Sequence, residues 1–291
     1  MDHLIPPMAA DVSHAVLITG CSTGIGRATA KFLAERDLTV YATARKVESI
    51  QDLEEHGCKT LQLDVTDEDS MKNAVAAVEE QEGAVGALVN NAGYSLSGAI
   101  ESVSMDEVRP QFETNVFGLI RMCQLVLPGM RRQRHGRIVN VSSMGGKVTF
   151  PGGGVYHATK YAVEGLSDVL RWEVKAFGID VSIIEPGLIR TEYGHKAVSA
   201  LDRATVEDGP YAKFNAQVSA TTKGAYAGTM SRMAAEPEAV SRAIHKAITR
   251  RRPRPRYLIT LGARVMIATR RILPDRGWDA MMASQFKRPQ P

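Results

Sequence analysis

The sequence predicts an α/β fold in which a doubly wound parallel sheet carries helices on both faces. Three observations predict it. Short apolar runs that read as strands alternate with segments of helical period along most of the 291 residues, and such alternation builds crossover units that lay parallel strands side by side. A glycine-rich turn, Thr19-Gly20-Cys21-Ser22-Thr23-Gly24-Ile25-Gly26, joins the first strand directly to the first helix. Polar and glycine motifs then recur just beyond successive strands, where ligands sit in sheets of this kind.

The elements follow in order. Ala15-Val16-Leu17-Ile18 is a short buried strand, and Ile25, Ala28, Phe32 and Leu33 beyond the glycine turn keep helical spacing. Further strands are predicted near 38–43, 60–63, 86–89, 137–141 and 180–184, with helical patterns between them. Two long helical segments, about Met105 to Arg132 and Tyr156 to Phe177, precede the fifth and sixth strands or follow them closely. After Thr191 the chain runs from Glu192 to Glu236 with Tyr193, Tyr211, Phe214, Tyr226 and Met230 before Pro237 opens another helical pattern. Long loops at such a place are commonly lids that exclude water. A last strand is expected around Tyr257-Leu258-Ile259, then an arginine-flanked helix from about Arg264 to Leu273. The expected organisation is one domain over 1–291, with a core at 12–192, a lid at 192–236 and a C-terminal extension at 250–291.

Composition narrows the function classes. A net charge of +4 is too small to imply nucleic acid, and no apolar stretch reaches the length of a membrane span. Residues Met1 to His14 hold acidic and proline residues where a secretory signal needs a basic start and an apolar core, so the cytoplasm is the expected location. Three scattered cysteines, Cys21, Cys58 and Cys123, argue against a disulfide framework, and the histidines lack metal-ligand spacing. Basic charge is concentrated in Arg250-Arg251-Arg252-Pro253-Arg254-Pro255-Arg256. That run reads as a solvated connector, with a cofactor phosphate, an acidic partner or an anionic membrane surface as open alternatives.

Two motifs carry chemistry. A strand, a glycine turn and a helix N-terminus make an anion site, because glycine lets the backbone approach phosphate and unpaired N–H groups point at it. The Gly20, Gly24 and Gly26 spacing is Gly-x-x-x-Gly-x-Gly, wider than the Gly-x-Gly-x-x-Gly fingerprint. Tyr156 and Lys160 stand four residues apart, which on a helix puts phenol and ammonium on one face. A free tyrosine ionises near pH ~10, and a fixed cation beside it favours the phenolate. Such a tyrosine can exchange a proton with a carbonyl or alcohol oxygen.

With these motifs joined, the chain resembles the short-chain dehydrogenase/reductase family. Further matches are Asp64-Val65, Asn91-Ala92-Gly93 after the run Ala87-Leu88-Val89, Asn115 on the long helical segment, Ser143 at the end of Ile138 to Ser143, and Pro186-Gly187-Leu188-Ile189-Arg190-Thr191. The resemblance covers residues 12–192 closely and implies a seven-stranded Rossmann-type sheet. It implies a hydride exchanged between nicotinamide and a carbonyl or alcohol, with Tyr156 as acid/base and Ser143 holding the substrate oxygen. Lys160 is expected to lower the tyrosine pKa and bind the nicotinamide ribose. Asn115 is implied as the anchor of a water that completes a proton relay to Lys160. Ser142 is the rival of Ser143, and His157, turned about 100° from Tyr156 on a helix, is read as structural.

At the end of the second strand Ala44 stands where an NAD site places an acidic residue, and Arg45 follows it. A guanidinium matches phosphate by paired donors, so NADP(H) is expected over NAD, with Ser22 adding a hydroxyl contact. Gly20, Ser22, Thr23, Gly24, Ile25, Gly26, Arg45, Asp64, Val65, Asn91, Ala92, Gly93, Tyr156, Lys160, Pro186, Gly187, Ile189 and Thr191 form the expected cofactor site.

The branch most similar in flavour acts on steroids, retinoids or other lipophilic alcohols and ketones. Ketoacyl, polyketide-like and xenobiotic carbonyl reductases remain alternatives, as does a non-catalytic NADP sensor. The apolar surplus on the two long helices, including Phe117, Leu125, Leu166, Val169 and Leu170, predicts a homodimer or homotetramer, as the resemblance also implies. In the tail, Val265, Met266, Ile267, Ile272, Leu273, Trp278, Met281, Met282 and Phe286 form an arginine-flanked apolar series. The series reads as a helix packing on the domain; closure over the substrate crevice or an interfacial membrane contact are the alternatives.

Overall fold

Strand burial explains the sheet. The strands are β1 Val16–Ile18, β2 Val40–Ala44, β3 Lys59–Gln62, β4 Ala87–Asn90, β5 Gly136–Val141, β6 Ile179–Glu185 and β7 Arg256–Leu258. Every residue of β1, β2, β4 and β5 is buried, as strands covered by helices on both faces must be. They form one parallel sheet in the order β3-β2-β1-β4-β5-β6-β7, the Rossmann-type arrangement. The structure is a computed structural model and describes residues 12–191, 209–227 and 234–289.

Alternate residues of each strand face opposite cores. Val16 and Ile18 pack with Ala30 and Leu33 of helix α1 (Gly24–Ala34), whereas Ala15 and Leu17 pack with Met71, Val75 and Val78 of α2 (Glu68–Glu82). The segment from 105 to 132 is helical throughout but changes pitch. Helix α3 (Met105–Phe112) passes through a π turn, Glu113–Phe117, into α4 (Gly118–Arg132). Helix α5 (Gly154–Glu173) follows β5, and the later helices are α6 (Ala212–Ala227), α7 (Pro237–Thr249), α8 (Leu261–Ile272) and α9 (Asp275–Gln285).

Sheet order reverses between β1 and β4, so the loops leaving these neighbours diverge and open a crevice at their carboxyl ends. The glycine turn and Asn91-Ala92-Gly93 leave from those two strand ends.

Three expectations need correction. The segment expected as a loop over 192–236 contains the sixteen-residue helix α6; its small residues, Ala, Ser, Thr and Gly, give little apolar periodicity to read. Tyr193 and Met230 lie outside the described residues. In the tail, Ile267, Trp278 and Met282 are buried with Val148, but Val265 and Ile272 are 58% and 80% exposed, because one helix turns only one stripe inward. Likewise Leu125 and Leu170 pack on the core instead of joining Phe117, Leu166 and Val169 on the surface. Among the described residues no helix is long and apolar enough to cross a membrane.

Candidate active site

The glycine turn is shaped by close approach. Gly20 has φ of 74°, and a Cβ there would stand 2.9 Å from the Ala92 Cα. A Cβ on Gly26 would meet the Gly20 carbonyl oxygen at 2.3 Å and Asn91 Nδ2 at 2.4 Å. Only glycine permits this packing of helix start against strand end. Asn91 Nδ2 donates to the carbonyls of Thr19 and Gly20 at 2.9 and 3.0 Å, and Thr19 Oγ1 accepts the amides of Asn91 and Ala92 at 3.0 Å each. Thr191 closes the other side, 3.4 Å from a Cβ built on Gly24. Helix α1 has no acidic residue in its first turn, leaving its N-terminal dipole open to an anion. Ser22 is exposed on this turn, and Thr23, Gly24 and Ile25 are half-buried.

At the end of β2, Ala44 is 4% exposed while Arg45 reaches into solvent. Asp64 follows β3 and accepts the amide and hydroxyl of Thr66 at 2.9 and 2.7 Å. Val65 is buried against Gly118, where a Cβ would lie 2.5 Å from the Val65 carbonyl oxygen.

Two of the residues singled out in the sequence, Asn115 and Lys160, meet around Gly93. A Cβ at Gly93 would lie 2.9 Å from Asn115 Oδ1 and 3.8 Å from Lys160 Nζ. Asn115 is 2% exposed and sits in the π turn, a distortion often found at functional sites. Its Oδ1 accepts the Tyr94 amide at 3.0 Å, and its Nδ2 donates to the Tyr94 carbonyl and Thr159 Oγ1 at 2.9 and 3.0 Å. Thr159 Oγ1 in turn donates to the Tyr156 carbonyl at 2.7 Å. Asn115 therefore locks the π turn, the loop after Gly93 and helix α5 together.

Lys160 is 6% exposed; its Nζ donates to the Val141 carbonyl at 2.9 Å and stands 5.8 Å from the Tyr156 ring centre. Burial pushes this ammonium down to about 8, opposed by the charge of Glu164. Tyr156 is half-buried. Ser143 caps a single turn over 144–146, its Oγ accepting the Gly145 amide at 3.0 Å, and the Met144 amide donates to Pro186 O at 2.8 Å. Ser143 is half-buried at the lip of the crevice, while Ser142 is 3% exposed behind it. Pro186 and Ile189 are buried; a Cβ on Gly187 would meet Thr260 Oγ1 at 2.1 Å. His157 packs edge-on to Phe150 at 5.8 Å and burial pushes it down to about 4, so it wedges the loop as a neutral ring.

An apolar cavity of about 500 Å³ adjoins this group. Ile100, Phe150, Pro151, Tyr211, Phe214 and Pro289 line it, together with Gly154, two residues before Tyr156. Ser143, Tyr156 and Lys160 are not in its lining, which approaches Tyr156 in the chain only through Gly154. A second cavity of about 240 Å³ shares Pro151, Phe214 and Pro289 and extends to Met282 and Phe286.

Sequence reasoning missed Tyr94, Thr159 and Glu164. The first two act through position, with a backbone group and a hydroxyl that no motif marks. Glu164 had a signal, the repeat of the four-residue interval after Tyr156 and Lys160.

Comparison with known proteins identifies the family. The short chain dehydrogenase family model matches residues 14–202. The chain is 32% identical over 269 residues to the uncharacterized oxidoreductase YbbO of Escherichia coli, covering 92% of this chain and 93% of that one. It is 42% identical over 179 residues to a 3-ketodihydrosphingosine reductase of Bacteroides thetaiotaomicron, a match spanning 61% of this chain and 65% of that protein. The crystal structure of a short-chain dehydrogenase from Streptomyces avermitilis superposes with a TM-score of 0.74 at 31% identity, covering 93% of each chain. A closed serine dehydrogenase complexed with NADP+ superposes with a TM-score of 0.73 at 28% identity, covering 84% of this chain and 94% of that one. The chain is an oxidoreductase of the short-chain dehydrogenase/reductase family.

Proposed function

We propose that the protein is an NADP(H)-dependent oxidoreductase that interconverts a carbonyl and an alcohol on a bulky lipophilic substrate. The observation that carries the reading is the convergence of Asn115 and Lys160 on Gly93, with the Tyr156 ring centre 5.8 Å from Lys160 Nζ and Asn115 tied to helix α5 through Thr159. Bound nicotinamide supplies or accepts the hydride. The glycine turn suits a pyrophosphate, since Gly20 and Gly26 let the turn pack closely on the Asn91-Ala92 strand end and the N-terminus of α1 carries no acidic residue in its first turn. Arg45 beside a strand end without a carboxylate favours a 2′-phosphate. The NADP named with the solved relative fits this preference.

In the reducing direction the Tyr156 phenol gives its proton to the carbonyl oxygen, which the Ser143 hydroxyl holds; oxidation reverses the transfer. Lys160 keeps a positive charge beside the phenol and holds the ribose of the nicotinamide. Asn115 fixes the π turn from which the relay to Lys160 runs. Substrate enters from the apolar cavity, walled by Tyr211 and Phe214 of the expected lid and by Phe286 and Pro289 of the tail. The ketone named for the Bacteroides relative is of this lipophilic kind. The enzyme acts as a homodimer or homotetramer.

The test is a turnover screen of hydroxysteroids, retinoids, long-chain ketones and ketoacyl thioesters with NADPH and NADH. Turnover of a lipophilic ketone with NADPH that Tyr156→Phe abolishes is the expected result. Undiminished turnover by purified Tyr156→Phe removes the mechanism.

A further inference from the structure

Helix α5 carries a third ionisable side chain in register with Tyr156 and Lys160. Glu164 follows Lys160 by one helical turn on the same face. It is 4% exposed. Its Oε2 takes Lys147 Nζ at 2.7 Å and Arg256 Nη2 at 3.1 Å. Lys147 immediately follows the turn that Ser143 caps, and its amide donates to Met144 O at 2.9 Å. Glu164 thus ties the helix of the phenol and ammonium to the turn of the catalytic hydroxyl. Gly146 leaves room for the approach, since a Cβ there would lie 2.9 Å from Glu164 Cγ and 2.8 Å from Ser142 Oγ.

Further charged groups cluster around Arg256 beside this carboxylate. Glu185 on β6 faces Arg256 Nε at 3.1 Å, Asp168 on α5 takes Arg256 Nη2 at 2.6 Å, and Arg171 pairs with Asp168 at 2.6 Å. Burial and the neighbouring Glu164 push Glu185 up to about 7. On the other side the buried Lys160 ammonium donates to the Val141 carbonyl, a neutral acceptor that compensates little of the cost of burying a charge.

We propose that Glu164 is a positioning residue of the reaction: its buried carboxylate keeps Lys160 charged and, through Lys147, fixes the Ser143 turn against helix α5. The inference rests on the roles proposed above for Tyr156, Ser143 and Lys160. An ion cluster that only stabilises the fold makes a different prediction.

The test uses full-length protein carrying labelled lysine, with the Lys160 side-chain resonance assigned by Lys160→Arg and followed by NMR through an alkaline titration. In Glu164→Gln, which keeps the shape and removes the charge, Lys160 is expected to titrate about one pH unit lower. The alkaline limb of kcat/KM is expected to move by the same amount. Glu164→Asp keeps the charge and is expected to restore the Lys160 titration to within about 0.3 units of wild type, although it shortens the arm to Lys147. Glu164→Gln combined with Lys147→Met removes the ion pair as a unit and serves if the single variant does not fold; Lys160 must then titrate lower than in Lys147→Met alone. An unmoved Lys160 titration in the neutral variants, or equal shifts in Glu164→Gln and Glu164→Asp, overturns the proposal in favour of a structural cluster. Wild type inactive on every carbonyl overturns the functional reading instead, and the NMR titration still decides the role of Glu164.

Discussion

The Lys160 ammonium nitrogen lies 2.9 Å from the carbonyl oxygen of Val141, the last residue of β5. One bond therefore pins helix α5 to the strand whose end carries Ser143, and it places a cation in a buried position. Because burial lowers this lysine to about 8, the charged form is present below that pH and is lost above it. Activity is expected to fall as pH rises through about 8 in a kcat/KM profile. The unfolded chain keeps this proton up to the ordinary lysine value of 10.5, so the same group makes stability rise with pH from about 8 to 10.5. Lys160→Met is expected to lose NADPH affinity as well as turnover, whereas Tyr156→Phe is expected to lower kcat about a thousandfold with NADPH binding nearly unchanged.

Cofactor preference is expected to follow the end of β2. Ala44→Asp with Arg45→Gln replaces a phosphate partner by a carboxylate that repels phosphate and accepts ribose hydroxyls. Loss of one charge-assisted contact, about 2 kcal/mol, is expected to weaken NADP binding roughly thirtyfold while NAD binding improves. Direct titration checks it; wild type binding NAD as tightly as NADP removes the role of Arg45.

Acid stability is expected to depend on His157. The unfolded chain protonates this imidazole near 6.5 and the folded chain near 4, because burial disfavours the charged ring. The unfolded state therefore takes up the proton first, and stability falls as pH drops from 6.5 to about 4. The loss is on the order of 3 kcal/mol. His157→Gln is expected to flatten the slope of urea-unfolding free energy across that window, leaving the part contributed by His135, which burial also lowers to about 4. An unchanged slope speaks against a buried neutral ring.

Assembly is expected through the exposed face of α5 and the π turn. Trp172, Val169 and Phe117 are 83%, 57% and 51% exposed, more apolar surface than an isolated monomer keeps without use. Light scattering at micromolar concentration is expected to give a multiple of the chain mass, and Val169→Asp with Trp172→Glu to give the monomer mass. A monomeric wild type contradicts the prediction.

The tail is expected to act on substrate. Phe286 lines the smaller cavity, and the Lys287 amide donates to Gln217 Oε1 on α6 at 3.0 Å, so tail and α6 close that side together. Phe286→Ala is expected to raise KM for a lipophilic ketone roughly tenfold, in line with about 1–3 kcal/mol for an apolar wall, while KM for NADPH stays within twofold. Equal rises in both point to general destabilisation.

The sequence by itself determined the sheet, the glycine turn and the Tyr156–Lys160 pair, because these depend on local rules. Strand alternation, a strand-to-helix turn and an i,i+4 interval are all written within a few neighbouring residues. The seven-stranded count and the role of Asn115 came from the family resemblance. Only the tertiary structure decided how separate segments meet. The π turn at Asn115 has no local signature, and its side chain is set by the Tyr94 backbone and Thr159. Helix α6 hides in small residues, and its contact with the tail is made across seventy residues of chain. Glu164 carried its interval in the sequence, but the partners that bury and charge it, Lys147, Glu185 and Arg256, come from a turn and two strands. Long-range packing fixes electrostatic surroundings, and those decide whether a buried carboxylate only braces the fold or keeps a neighbouring lysine charged.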